Sequence, residues 1–151
     1  MPEDQNFFVE IGDTVTFSKT VGESDVYLFA GITGDLSGNH VNEALMKKSA
    51  FGERIAHGAL MVGFMSTAST MMIEMSQQGG RGKGWTPVSL GYDGIRFVAP
   101  VFIHDTITVT YRIASLEPER NRSVSDIAIT NQHGETVAVG KHILKWVKDP
   151  T

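Results

Sequence analysis

The segment GDLSGNH, residues 34–40, carries an acid and an imidazole whose types and spacing suit proton transfer. Asp35 and His40 stand five positions apart in a polar stretch that also holds Gly34 and Gly38. An Asp–His pair that shares one water can act as acid and base, because each group exchanges protons readily. Five positions would not align the pair on a helix, but a glycine-containing loop can turn both side chains towards one point. The alternative is an Asp that serves a turn or cap, beside a surface His.

A second candidate element is His57-Gly58, directly before a long apolar segment in which we expect a helix. The first amides of a helix lack backbone partners, and a glycine lets a ligand oxygen approach them closely. Such amides can stabilise an oxyanion, which is worth roughly 10²–10³ in rate for each donor. The alternative is that His57 packs internally and Gly58 relieves crowding.

Ser66 lies eight residues after Gly58, and so about two helical turns along the same segment. At that position its hydroxyl could face the same opening as the Gly58 amide. The alternative is a serine that donates to the carbonyl four residues earlier, which is frequent in buried helices.

Other ligand sites are weaker hypotheses. Asp35, His40 and His57 could form a two-histidine, one-carboxylate metal site, but no helical pairing of histidines supports it, so we expect no metal. The stretch GGRGKG, residues 79–84, is not a phosphate loop, because it follows a helix and its lysine is not followed by Ser or Thr. The other histidines are expected to be structural or solvated: His104, His133 and His142. The methionines of the apolar segment are expected to fill the core: Met61, Met65, Met71, Met72 and Met75.

The composition excludes several classes of protein. The 151 residues predict one domain spanning residues 1–151. The net charge of −4 disfavours a nucleic-acid partner, and the absence of cysteine excludes a disulfide scaffold or a thiolate site. The acidic start MPEDQNFFVEIGD lacks the pattern of a signal peptide, so we expect a cytoplasmic protein. The apolar run 59–75 is shorter than the ~20 residues that a membrane span needs, so no membrane partner is expected.

The order of predicted elements is one strand, then helices, then four strands. We expect a strand over 9–21, a helix capped by Ser24 that runs to about Ile32, and a loop over 34–41. Asn42 caps a short helix that ends near 51–52, and the long helix covers 58–76. Four strands follow: 88–98, 106–114, 122–131 and 135–147. Strict alternation in TITVTYRIA and the NQHGE turn support the strands and a hairpin.

This order predicts an α+β fold in which an antiparallel sheet packs against one long apolar helix. The helix is apolar nearly all round, which is typical of a buried helix. One helix does not cover a long sheet, so either the sheet curls around the helix or a partner covers the remainder.

The chain resembles the MaoC-like dehydratases, the (R)-specific enoyl-CoA hydratase group of the hotdog superfamily. The resemblance rests on FAGITGDLSGNH, on AFGERIAHGALM and, more generally, on FVAPVFIHDTITVTYRI. The family pattern has a Gly-Asp, a His five residues after the Asp, and a later Ile-Ala-His-Gly run that opens the central helix. Here these are Gly34-Asp35, His40 and the run that ends in His57-Gly58.

The resemblance implies a hotdog fold, with the sheet wrapped around the helix, and a homodimer or dimer-based homo-oligomer whose sheets join edge to edge. The implied activity is a hydro-lyase of fatty acid metabolism that adds water reversibly to a trans-2-enoyl-CoA. Coenzyme A is then part of the acyl-CoA substrate, and no separate cofactor is expected. Asp35 and His40 would activate water, the Gly58 amide would stabilise the enolate oxygen, and Ser66 would lie near the pair. We expect Asn39 and His57 to contact substrate.

The family pattern reads Asp-x-Asn-Pro-aliphatic-His. This sequence keeps the Asp and the His but departs from the pattern at the three positions before the His. Ser37, Gly38 and Asn39 stand where the family has Asn, Pro and an aliphatic residue, which favours a polar or short acyl group. Two alternatives stay open: a hotdog thioesterase, although the central helix carries only Glu74 near its far end, and a non-catalytic acyl-CoA-binding subunit. Candidates for contact with the CoA phosphates, without a choice among them, are Arg54, Arg81, Lys83 and Arg96.

Overall fold

The computed structural model describes residues 7–151, so the predictions that concern residues 1–6 lie outside the described range. The helices are α1 (Glu23–Thr33), α2 (Gly38–Val41), α3 (Glu43–Met46) and α4 (Gly58–Gln78). The strands are β1 (Thr14–Thr20), β2 (Trp85–Phe97), β3 (Thr106–Glu117), β4 (Arg122–Thr130) and β5 (Thr136–Lys148). The predicted α+β order of one strand, helices and four strands is confirmed.

The strands form one antiparallel five-stranded sheet in the order β1-β3-β4-β5-β2. The predicted β4–β5 hairpin is present, and the Asn131 N–H donates to the Glu135 carbonyl at 2.9 Å across its turn. Strand β2 follows α4 and, among the strands of residues 7–151, pairs only with β5, so it forms one edge of the described sheet. It carries two irregularities in register, after Ser89 and after Asp93, which bend the strand.

The core lies between the sheet and helix α4. The alternating residues that we assigned to one face of β3 are all fully buried: Ile107, Val109, Tyr111 and Ile113. They face a stripe of α4 that includes Met61, Met65 and Met72, while Met75 is exposed. The helix is therefore buried along one face only, and the prediction of a helix buried all round holds for half of its surface. The face with Ser66, Thr67, Thr70 and Glu74 is exposed.

Several element boundaries differ from the predictions for local reasons. Strand β1 begins only at Thr14, because Gly12 adopts φ +94° in a turn. The cap of α1 is Gly22 rather than Ser24, because the Asp25 carboxylate accepts from the Gly22 N–H at 2.8 Å. The expected Asn42 cap is confirmed, with Oδ1 accepting from the Leu45 N–H at 3.0 Å.

Helix α3 is shorter than predicted, because Ser49 Oγ donates to the Met46 carbonyl at 2.7 Å and turns follow. The predicted loop 34–41 contains the single-turn helix α2, in which the His40 N–H donates to the Ser37 carbonyl at 2.9 Å. Within residues 7–151, no helix has the length and apolar character that crossing a membrane requires.

Candidate functional site

Asp35 stands in the turn that follows α1. The helix ends at Gly34, whose φ of +82° is the left-handed conformation that glycine adopts without strain. Asp35 Oδ1 then accepts from the Ser37 N–H at 3.3 Å, so the residue does serve a turn. Its side chain nevertheless keeps 52% of its surface exposed, which leaves the carboxylate free to accept a proton from water.

His40 projects from α2 and is partly buried. Its Nδ1 lies 2.7 Å from the Ile55 carbonyl oxygen. A carbonyl only accepts, so Nδ1 carries the hydrogen and Nε2 of a neutral ring has a free lone pair. The Ile55 N–H in turn donates to the Asn39 carbonyl at 3.0 Å. The ring is thereby fixed in the tautomer that can act as a base through Nε2.

His57 caps α4 and is 2% exposed. Its Nε2 donates to the backbone carbonyl of Asp35 at 3.0 Å and lies 4.0 Å from the Asp35 carboxylate. The ring stacks on His40 with centroids 3.7 Å apart and contacts Phe29 at 4.6 Å. Within the described residues the buried Nδ1 of His57 has no hydrogen-bond partner.

The three side chains therefore meet. Loop composition and the resemblance had suggested the approach of Asp35 and His40, and His57 lies beside both. One carboxylate oxygen of Asp35 and one nitrogen from each imidazole lie within 4.8 Å of one another. We call Asp35, His40 and His57 the loop cluster. The two stacked rings lie in planes only 26° apart with centroids separated by 3.7 Å, so the lone pairs lie in two nearly parallel planes and do not meet readily at one ion. This geometry favours a shared water over the metal-site alternative.

A cavity of about 370 Å³ lies beside the loop cluster. His40, His57 and Gly58 form its polar end, and its other walls are apolar: Phe51, Ile55, Ala56, Met61, Phe97, Val98, Ala99, Pro100, Val101 and Val137. Among residues 7–151, no acceptor is bonded to the Gly58 amide. A carbonyl oxygen at this end of the cavity would find an unpaired N–H at the positive end of α4.

Two predicted site residues lie elsewhere. Asn39 has an exposed side chain that does not line the cavity, and only its carbonyl takes part in the site. Ser66 is exposed on α4, outside the cavity lining.

Two of the four basic residues considered for CoA phosphates are already paired. Arg54 is 9% exposed and bonded to Glu23 and Glu43, and Arg81 is paired with Glu10 and Asp13. Each guanidinium already has two carboxylates, which disfavours a phosphate-binding role for either residue. Lys83 and Arg96 are exposed.

The sequence model of the MaoC like domain family matches residues 5–136. The chain belongs to this family.

Named relatives and a solved structure agree with this membership. The (R)-specific enoyl-CoA hydratase of Rhodospirillum rubrum is 38% identical over 117 residues, which cover 76% of this chain and 74% of that protein. The 3-hydroxybutyryl-CoA dehydratase of Methylorubrum extorquens is 33% identical over 141 residues, or 93% and 82% of the two chains. The (R)-hydratase from A. caviae involved in PHA biosynthesis superposes with a TM-score of 0.76 at 25% identity, over 91% and 96%. The predicted hotdog fold is confirmed.

The departure from the MaoC-like pattern at Gly38 has a packing reason. A Cβ atom at Gly38 would lie 2.5 Å from Leu45 Cδ2, so the side chain of α3 occupies the space of a larger residue. Glycine therefore permits α3 to pack against α2. The loop is held by this contact even though it lacks proline.

No local sequence pattern indicated that Phe97 belongs to this MaoC-like site. A Cβ atom at Gly58 would lie 2.5 Å from Phe97 Cδ2, so the ring covers the first turn of α4. The ring is about half exposed and also lines the cavity. The missing side chain of Gly58 thus leaves room for the Phe97 ring, and the Gly58 amide has no hydrogen-bond partner among the described residues. Only the return of β2 to the start of α4 brings these residues together, and no local pattern reports that approach.

A second imidazole site lies in the core of the sheet. His142 is fully buried, and its Nε2 and Nδ1 lie 2.7 Å from Ser89 Oγ and 2.7 Å from the Tyr111 hydroxyl. Its ring stacks on Tyr92 at 4.5 Å. Burial lowers the pKa of His142 to about 4 and raises that of Tyr111. We call Ser89, Tyr111 and His142 the core cluster, and its full bonding identifies it as structural.

Proposed function

We propose that this protein is an (R)-specific enoyl-CoA hydratase/3-hydroxyacyl-CoA dehydratase, a hydro-lyase. The observation that carries the proposal is the convergence of Asp35, His40 and His57 within 4.8 Å beside a cavity that ends at the unpaired Gly58 amide. The names of the relatives from R. rubrum and M. extorquens support the same reaction.

In this mechanism one water lies between Asp35 and His40. Both the carboxylate and the free Nε2 are acceptors, so the water donates one hydrogen to each and turns an oxygen lone pair towards carbon 3 of the enoyl group. The oxygen bonds to carbon 3 while the pair takes a proton from the water. The same pair returns a proton to carbon 2, so one water is added and the enzyme is regenerated.

The Gly58 amide supplies the electrostatic part of the mechanism. As the carbon 2–carbon 3 double bond opens, negative charge moves onto the thioester oxygen. A carbonyl at the polar end of the cavity can accept from this N–H, and the dipole of α4 favours the same charge. Dehydration follows the same path in reverse: the pair takes the proton from carbon 2 and gives a proton to the hydroxyl group on carbon 3, which leaves as water.

The cavity walls favour an apolar acyl group. Met61, Phe97 and Val137 are among the residues that line the cavity. Asn39, whose residue type suggested a polar acyl group, is not one of them. An apolar chain beside these walls would lose contact with water, which favours binding. A dicarboxylic acyl group would instead bury a charge without a partner.

The partner that we propose is a second copy of this chain. Edge strand β2 exposes Val88, Leu90 and Phe97, and its outer backbone groups are unpaired within the described sheet. An apolar edge of this kind favours pairing with another strand. Sheets joined along β2 would form the homodimer that the resemblance implies.

Three further assignments stay predictions. The first is a single MaoC-like domain over residues 1–151, of which residues 1–6 lie outside the described range. The others are a cytoplasmic location and a place in fatty acid metabolism. Ser66 as a catalytic residue, and His57 and Asn39 as substrate contacts, also stay predictions. No cofactor beyond the coenzyme A of the substrate is part of the proposal.

A panel of enoyl-CoA thioesters tests the proposed reaction. Hydration removes the ultraviolet absorbance of the conjugated thioester, and we expect the fastest loss with short or medium apolar acyl groups. A thiol reagent run in parallel detects free coenzyme A, which a thioesterase would release. Glu74, the carboxylate near the far end of α4, lies outside the cavity, so we expect no thiol release. Binding of every thioester without loss of absorbance would instead identify a non-catalytic subunit.

A further inference from the structure

We propose that Arg54 is a positioning residue that holds the backbone on which His40 depends. The inference rests on the proposed function, because it concerns the geometry of the same loop cluster. Arg54 does not line the cavity of that cluster, so any effect on the reaction there acts through its neighbours. Its role is to fix the residues around it.

The Arg54 guanidinium bonds to three side chains from two helices. Nε donates to Glu43 Oε2 at 2.8 Å, Nη1 donates to the Tyr27 hydroxyl at 2.8 Å, and Nη2 forms an ion pair with Glu23. Glu23 and Tyr27 belong to α1, and Glu43 begins α3. The planar group, with its donors in a fixed fork, thus ties both helices that flank the Asp35–His40 loop to one point.

Ile55, the residue that follows Arg54, is hydrogen-bonded to the imidazole of His40. The Ile55 carbonyl accepts from His40 Nδ1 at 2.7 Å, and its N–H donates to the Asn39 carbonyl at 3.0 Å. The position of Ile55 therefore decides which nitrogen of His40 carries the hydrogen. If the segment around Ile55 shifts relative to α2, the hydrogen bond from His40 Nδ1 to the Ile55 carbonyl lengthens. The hydrogen can then move to Nε2, which would no longer be available as a base.

Arg81 offers a matched control in the same chain. It also pairs with two carboxylates, Glu10 and Asp13, but its side chain is 30% exposed and its partners lie outside the loop cluster. The two arginines therefore share an ion-pair pattern and differ in whether the next backbone carbonyl holds a catalytic group. A general effect of losing an arginine ion pair would appear at both positions.

The test compares Arg54→Lys with Arg81→Lys in the enoyl-CoA hydration assay. Lysine keeps the charge but cannot bond to three partners in one plane, so we expect kcat of Arg54→Lys to fall about 10- to 100-fold with little change in KM. Arg81→Lys should keep kcat within about twofold of the parent, because its exposed pairs contribute little. Equal kcat losses in both variants would overturn the proposal.

A second readout does not depend on the reaction. Nitrogen-15 spectra of the imidazoles report which ring nitrogen is protonated, and His40→Gln identifies the His40 signals. We expect the Nδ1–H form in the parent and a mixture of tautomers in Arg54→Lys. An unchanged His40 spectrum in a folded Arg54→Lys protein would overturn the proposal. If the parent hydrates no thioester, the proposed function fails, while this spectrum still decides the role of Arg54.

Milder variants decide the question if Arg54→Lys does not fold. Tyr27→Phe and Glu43→Gln each remove one partner and leave the guanidinium in place. A smaller fall in kcat, together with a partial change of the His40 tautomer, would support the proposal. Parent kcat and the parent spectrum in both variants would overturn it.

Discussion

The loop cluster and the core cluster both place imidazoles against oxygen-bearing groups, and they differ in how completely those imidazoles are bonded. In the core cluster both nitrogens of His142 have partners at 2.7 Å, and the ring is fully buried. In the loop cluster the buried Nδ1 of His57 has no partner among the described residues, Asp35 is half exposed, and both histidines line a cavity. Complete bonding stabilises a fold, whereas free lone pairs at a cavity are available for chemistry.

The largest expected effect is the loss of catalysis in the loop cluster. His40→Gln removes the base while keeping a polar side chain, so we expect kcat to fall about 10³-fold. The free energy of unfolding should change by only about 1 kcal/mol, because one hydrogen bond of a partly buried side chain is lost. Hydration kinetics and urea unfolding measure the two effects, with the exposed turn residue His133→Gln as the control. A variant with parent kcat would contradict the assignment of His40.

The core cluster should respond in the opposite way. His142→Leu keeps much of the side-chain volume but leaves the buried Tyr111 hydroxyl without its partner, whereas the exposed Ser89 hydroxyl can bond to water. We expect the free energy of unfolding to fall by about 3 kcal/mol, with kcat per folded molecule unchanged. Urea unfolding and active-site titration measure the two quantities. A large fall in kcat without loss of stability would mean that the distinction between the clusters is wrong.

Acid should weaken the core cluster through protonation of His142. Its pKa is lowered to about 4 in the folded protein by burial, whereas an unfolded histidine titrates near 6.5. As the pH falls from about 6.5 towards 4, only the unfolded state takes up this proton, so stability falls by up to about 3 kcal/mol. Unfolding free energies at about pH 7 and about pH 4.5 test this. His142→Leu should lack this part of the pH dependence, and an identical dependence in both proteins would exclude His142 as its source.

The smallest expected effect concerns the contact between Gly58 and Phe97. Gly58→Ala places a methyl group against the Phe97 ring, which is half exposed and can rotate away, so we expect a stability loss of about 1 kcal/mol. The displaced ring should also narrow the cavity and raise KM. Adding Phe97→Ala should restore KM, and failure of that rescue would show that the ring is not the cause.

The sequence predicted the scaffold better than the details of the site. Alternation located the buried face of β3, and the apolar run located α4, because one buried face of an element repeats with its own period. The meeting of Asp35 and His40 followed from loop composition and from a family resemblance. The hydrogen bond from His57 to the Asp35 backbone had no local signal, since these residues are brought together only by the fold.

Two residues show why local patterns are incomplete. The residue type of Asn39 suggested a polar substrate contact, and in the structure its carbonyl joins the site through Ile55. Arg54 suggested a phosphate ligand, yet its charge is already paired by Glu23 and Glu43. In both cases the partner of the residue lies more than ten positions away in the sequence, so no local pattern could identify it.

Asp35→Asn tests the central claim most directly. Asparagine keeps the turn geometry and nearly the same volume but cannot take a proton from water at neutral pH. With a short enoyl-CoA that the parent hydrates, we expect the loss of thioester absorbance to slow about 10³-fold, while the circular dichroism spectrum stays unchanged. Asp126→Asn, an exposed carboxylate on β4, should keep the parent rate. A parent rate in folded Asp35→Asn would contradict the account.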